Sequence, residues 1–210
     1  MKKIFLILTM LVGVLTLNAQ NIQVLNGISS DKDYVNFATF EIYKPLTHGP
    51  LYYFTDFKMS KDGYFESYSE ISKYWYISKK GLSATVQYNA GLNKDYHIKP
   101  VYLAGLSKEF TPGNNFILSF DILYRYQTEI ILDNEMKNGF QIIMNFSKTL
   151  NKFQISGYCD YWNINYFIFE PQIWYKIFNN IHIGVEGRLS NYTLLDNYEK
   201  YAMIGIKWDI

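Results

Sequence analysis

From residue 20 onward the chain alternates apolar and polar positions with a period of two, as expected for a strand whose successive side chains point to opposite faces. Leu82, Ala84, Val86, Tyr88, Ala90 and Leu92 alternate with Ser83, Thr85, Gln87, Asn89 and Gly91. Phe116, Leu118, Phe120, Ile122, Tyr124 and Tyr126 form a second apolar row, against which Ile117 and Leu123 are exceptions. Further rows are Phe140, Ile142, Met144 and Phe146; Phe153, Ile155, Cys159 and Tyr161; Phe167, Phe169, Ile173 and Tyr175; Ile181, Ile183 and Val185; and Ala202, Ile204, Ile206 and Trp208. The spacing predicts twelve strands, at 21–27, 34–43, 51–59, 63–77, 82–92, 97–110, 115–127, 138–150, 152–162, 166–178, 181–189 and 200–210. The first is the least well marked, and a ten-strand barrel is the alternative if a segment is misread.

Most of these strands are about 10 to 14 residues long, against a usual 5 to 6 in soluble sheets. A tilted strand crossing a bilayer needs about 9 to 11 residues, with one apolar and one polar face. The pattern therefore predicts an all-β fold, a transmembrane antiparallel up-and-down barrel. An even strand number returns both ends of the chain to one side. Connections after even-numbered strands, such as Ser78 to Gly81 and Leu150 to Asn151, are mostly short, as periplasmic turns should be. The two longest, Thr128 to Lys137 and Ser190 to Glu199, follow odd-numbered strands, as extracellular loops should. A soluble barrel with aromatic residues in its core is the competing reading.

Composition sharpens this. Aromatic residues make up 19 % of the chain, with 20 Tyr, 15 Phe and 4 Trp. They gather near strand ends, where headgroup-level girdles lie in outer-membrane barrels. A mean hydropathy of -0.13 argues against several membrane helices. A formal charge of +1 argues against a basic nucleic-acid binder, so no nucleic-acid partner is expected. Lys2 and Lys3, the apolar run Ile4 to Leu17, and Leu17-Asn18-Ala19 read as a signal peptide over residues 1–19, leaving a single barrel domain at 20–210. With those two lysines gone, 18 cations face 19 anions, for a charge of -1. Cys159 is the one cysteine, so no intramolecular disulfide is possible. The expected location is the outer membrane, with lipid as solvent and the barrel-assembly machinery as a partner during biogenesis of a monomer.

Charged residues on the polar face cannot meet hydrocarbon, where each Lys or Arg near the midplane costs about 2 to 4 kcal/mol. The inward set comprises Glu41, Asp56, Lys58, Glu66, Glu70, His97, Lys99, Glu109, Asp121, Arg125, Asp160, Glu170, Lys176, His182, Glu186, Arg188, Lys207 and Asp209, with Tyr64, Tyr68, Tyr74, Tyr158, Trp162 and Trp174 beside them. Glu41, Asp56, Glu70, Asp121, Arg125, Asp160, Glu186 and Arg188 are the candidates for contact with a small polar solute. Aromatic planes beside carboxylates suit a ring-bearing solute with hydroxyls. The alternative is that these groups pair across the lumen and plug it. Arg188-Leu189-Ser190-Asn191 is similar to a His-x-Ser-Asn hydrolase motif, but arginine stands where the base should be and cannot take up a proton near neutral pH. His48, His97 and His182 lie on separate elements, so neither a metal site nor a cofactor is expected.

The runs Phe40-Glu41-Ile42-Tyr43-Lys44-Pro45, Tyr52-Tyr53-Phe54-Thr55-Asp56, Tyr68-Ser69-Glu70-Ile71-Ser72, Val86-Gln87-Tyr88-Asn89-Ala90-Gly91-Leu92 and Ser156-Gly157-Tyr158-Cys159-Asp160-Tyr161-Trp162 carry a family resemblance. In these the chain resembles a small family of Bacteroidetes-type outer-membrane proteins, itself similar to the nucleoside-specific channel-forming (Tsx-like) porins. The resemblance implies a monomeric twelve-stranded barrel and a narrow pore for nucleoside-like solutes. A non-conducting structural or surface-interaction barrel is the other functional expectation.

Overall fold

A computed structural model describes residues 20–29, 34–60, 65–93, 97–113, 115–128, 138–163, 166–191 and 199–210; the segment 1–19 read as a signal peptide lies outside them. Twelve strands follow one another in order: β1 Gln20–Ser29, β2 Tyr34–Lys44, β3 Leu51–Ser60, β4 Phe65–Tyr76, β5 Leu82–Asn93, β6 His97–Phe110, β7 Phe116–Gln127, β8 Asn138–Leu150, β9 Phe153–Trp162, β10 Tyr166–Lys176, β11 Ile181–Ser190 and β12 Glu199–Asp209. Each pairs antiparallel with its neighbours in sequence, and β1 also pairs with β12 from Asn21↔Asp209 to Ser29↔Tyr201, closing the barrel. Closure gives every strand two ladder partners, so no edge remains to expose unpaired backbone groups to hydrocarbon. The least marked strand of the sequence is thus the one that completes the wall.

The register fixes which residues face inward. Thr39 pairs with Asp56, Asp56 with Tyr68, Glu70 with Asn89, Ser107 with Asp121, Ile143 with Asp160, and Gln172 with Glu186. Leu123, an exception to its strand's apolar row, faces inward and is fully buried, while Ile117 lies exposed at the turn end of β7. One irregularity interrupts the alternation: Asn89 pairs with Val101 but Gly91 with Ile98, a register shift of the kind a β-bulge makes. The side chains of Tyr64, His97 and Lys99, expected inside, lie outside the described residues.

The outer face is apolar along the strand centres, with Val24, Ile122, Ile142, Val185, Ile204 and Ile206 all exposed. Exposed aromatics flank that band at both ends, with Tyr34, Tyr126, Phe140 and Tyr161 toward the long connections and Trp75, Phe110, Phe153, Tyr175 and Trp208 toward the short turns. Rings stack along this face, as in Tyr88 with Tyr102, at 5.2 Å between centroids, and Phe153 with Tyr175, at 4.9 Å. Strands of this length tilted by about 40° rise roughly 25 to 30 Å, the height of a bilayer's hydrocarbon core.

Candidate functional site

The lumen divides into two kinds of wall. Leu25, Val35, Phe37, Trp174, Tyr201 and Met203 form a buried apolar cluster centred on β12, β1 and β2. Val101, Leu103, Leu123 and Ile143 form a second on β6, β7 and β8, the opposite side of a twelve-stranded ring. Alternation alone does not group these residues, since it treats an apolar residue on the polar face as noise; inward Trp174 and the exception Leu123 are the signals the sequence carries. Phe37 and Phe54 likewise face inward, although phenylalanine otherwise favours the lipid side.

Between these packed walls, two polar arcs face each other. Asp56, Tyr68 and Glu70 project from β3 and β4, and Tyr158 and Asp160 from β9. All five keep part of their surface accessible to water, although they sit midway along inward-facing rows. The arcs are close enough to feel each other's charge: Asp160 interacts electrostatically with Glu70, and Asp56 with Glu170 and Arg188. These five half-buried side chains form an acid-lined track between the clusters.

Hydrogen bonds hold its carboxylates in place. Glu41 accepts from Asn21 Nδ2 at 2.6 Å and Gln23 Nε2 at 3.2 Å. Thr39 Oγ1 donates to Asp56 at 2.6 Å, Ser72 Oγ to Glu70 at 3.0 Å, and Gln141 Nε2 to Asp160 at 2.7 Å. Asp121, 1 % exposed, accepts from Tyr74 OH at 3.0 Å and Gln87 Nε2 at 3.2 Å. Gln172 bridges the wall: its amide donates to Glu186 and to Gln23 Oε1 across the ring, and its oxygen accepts from Trp174 Nε1 at 3.0 Å.

The cations have separate engagements. Lys58 Nζ bonds Glu199 at 3.0 Å and the Tyr201 hydroxyl, and lies 4.9 Å from the centre of the Tyr201 ring. Arg188 is clamped between Glu170 and Glu199. Lys207 donates to Gln154 and lies over the Trp174 ring, and the Arg125 guanidinium lies 5.8 Å from the Trp162 ring while acting on Asp160. All eight candidate residues thus face the lumen. Asp56, Glu70 and Asp160 border the accessible track, Glu41 is partly accessible nearer the turn end, Asp121, Arg125 and Glu186 are buried in the wall, and Arg188 is tied up in ion pairs. Glu109 and Lys176, expected inside, are exposed at the turn end of the barrel, where the strands run out into solvent.

Ser190 is inward and fully buried. Its neighbour Arg188 is held by two glutamates, and the His182 ring sits at the other end of β11, 3.5 Å from Asp209. No group of acidic, histidine or cysteine side chains suited to a metal ion occurs among the described residues.

These faces define the class: a small twelve-stranded transmembrane β-barrel of the outer-membrane type, with a polar interior. Within it, the chain belongs to the family described as a domain of unknown function, DUF5020, whose profile matches residues 19–210. No curated protein matches it in sequence. Among solved structures it is similar to the NanC porin, with a TM-score of 0.61 at 9 % identity, covering 90 % of this chain and 100 % of that one. The KdgM porin gives 0.59 at 10 % identity, covering 90 % and 98 %. Outer membrane phospholipase A from Escherichia coli gives 0.61 at 15 % identity, covering 92 % and 91 %. At these identities the likeness is one of fold.

Proposed function

We propose that this protein is a narrow outer-membrane channel for small polar solutes. The observation that carries the reading is that Asp56, Tyr68, Glu70, Tyr158 and Asp160 face one another, only half-buried, between two packed apolar clusters. The clusters narrow the lumen, and the apolar outer face with its aromatic margins suits an outer membrane. The porin-like fold agrees with this reading. The protein acts as a monomer delivered by a signal peptide and inserted by the barrel-assembly machinery, and it is not an enzyme, since the one serine in a hydrolase-like run is buried beside an ion-paired arginine. Nucleosides fit the track in kind: a base can stack on Tyr68 or Tyr158 while ribose hydroxyls bond Asp56 or Asp160.

Planar-bilayer recording of the refolded protein tests this. Discrete conductance steps are expected, reduced by added nucleoside if such solutes enter the track. A correctly folded barrel that never conducts would instead be a structural or surface-interaction barrel.

A further inference from the structure

We infer that the lumen selects for positively charged solutes, small ammonium-bearing molecules and inorganic cations, and rejects anions. This rests on the channel reading above and names the charge class of what passes.

Inward carboxylates outnumber inward cations, but the decisive feature is how each is partnered. Lys58 and Arg188 are consumed by Glu199 and Glu170, and Lys207 is held by Gln154 and the Trp174 ring. The acids of the track are held otherwise. The hydrogen bonds to Glu41, Asp56, Glu70, Asp121, Asp160 and Glu186 come from amides and hydroxyls. Such donors fix a carboxyl group's orientation without bringing a positive charge to it. Arg125 and Arg188 act on Asp160 and Asp56 from a distance, and Lys207 on Glu41.

A second observation points to a missing positive or donor group. Asp121 Oδ1 is buried and accepts no hydrogen bond, although Oδ2 of the same carboxylate accepts two. Asp160 Oδ1 is in the same condition, as are Gln87 Oε1 and Asn89 Oδ1 on β5. A buried acceptor left without a donor is costly, and a row of them is satisfied by a cation, an ammonium group or water. A low-dielectric wall around one sign of charge concentrates its counter-ions. The KdgM porin has been solved in complex with oligogalacturonate, a polyanion, and a barrel of similar fold lined in this way is unsuited to such a chain.

The reversal potential of the refolded channel under a KCl gradient decides the matter. A K+ over Cl- permeability ratio on the order of 10 is expected, with current reduced by spermidine and unaffected by trigalacturonate. The double variant Glu70→Gln, Asp160→Asn should bring the ratio toward one while keeping the heat-modifiable gel mobility of a folded barrel. A ratio at or below one for the native channel overturns the inference and leaves the channel reading standing, as does an unchanged ratio in the folded variant. A folded barrel without conductance overturns both.

Discussion

At the scale of single residues, one tight constraint inside the barrel is set by an absent side chain. Gly184 and Gly205 face each other across β11 and β12, with Trp174 buried against Gly184 from β10 and Leu25 against Gly205 from β1. A Cβ at Gly184 would stand 2.4 Å from Cε3 of Trp174 and 2.3 Å from the Ile173 carbonyl oxygen. Neither neighbour can yield easily, because the oxygen is backbone and the indole is wedged, with its Nε1 bonded to Gln172. Gly184→Ala should therefore cost about 1 to 3 kcal/mol, seen as a lower urea midpoint in vesicles, with a tryptophan emission change reporting the displaced ring. Arg188 is governed by charge instead. Arg188→Ala strands Glu170 without its cation, while Glu199 keeps Lys58, and a loss of about 3 to 5 kcal/mol is expected in the same assay. Glu170→Gln in the Arg188→Ala background should recover part of it.

At the scale of elements, alternation made the strands legible almost to the residue, because in a barrel every strand meets hydrocarbon on one side and period two is enforced along its whole length. What alternation could not show is how the inner face is subdivided. The polar face admits apolar residues wherever they meet one another: Leu103, Leu123 and Ile143 are brought together on one side, and Trp174 with Leu25 and Met203 on the other, by register and closure, which involve residues far apart in sequence. The shift between Asn89 and Gly91 was invisible for the same reason, since a bulge depends on the partner strand. The candidate acids were found because charges can only face inward, whereas their division into accessible and wall-buried groups depends on packing. Strand β1 carries the count, and crosslinking tests it. Asn26 and Ile204 are register partners and both are exposed on the outer face. With Cys159→Ser removing the native thiol, the pair Asn26→Cys and Ile204→Cys should form a disulfide in the folded barrel, giving a mobility difference on non-reducing gels. A ten-strand barrel lacking β1 would leave the two thiols free.

For the whole molecule, the near-neutral hydropathy follows from two environments alternating one residue at a time, and the same substitution should therefore have opposite consequences at adjacent positions. Ile204 lies at the centre of β12 on the outer face, 66 % exposed, among Ile206, Val24 and Val185. Ser156 lies at a corresponding depth on β9 but faces the lumen, near Gln172 Oε1. Ile204→Lys places an ammonium against acyl chains and should destabilise the membrane-folded state by about 2 to 4 kcal/mol. Ser156→Lys places the same ammonium among carboxylates and water, where the long side chain can reach a charged partner, and should change stability far less while reducing the passage of cations. Urea titrations of both variants in the same lipid measure the difference directly. Equal losses at the two sites would mean that the inner and outer faces do not differ in polarity as the register requires, and a soluble barrel would show the larger loss at the inner site. The lipid-facing substitution should thus act on folding and the lumen-facing one on permeation, which ties the two-residue period of the sequence to the separate demands of the bilayer and the solute.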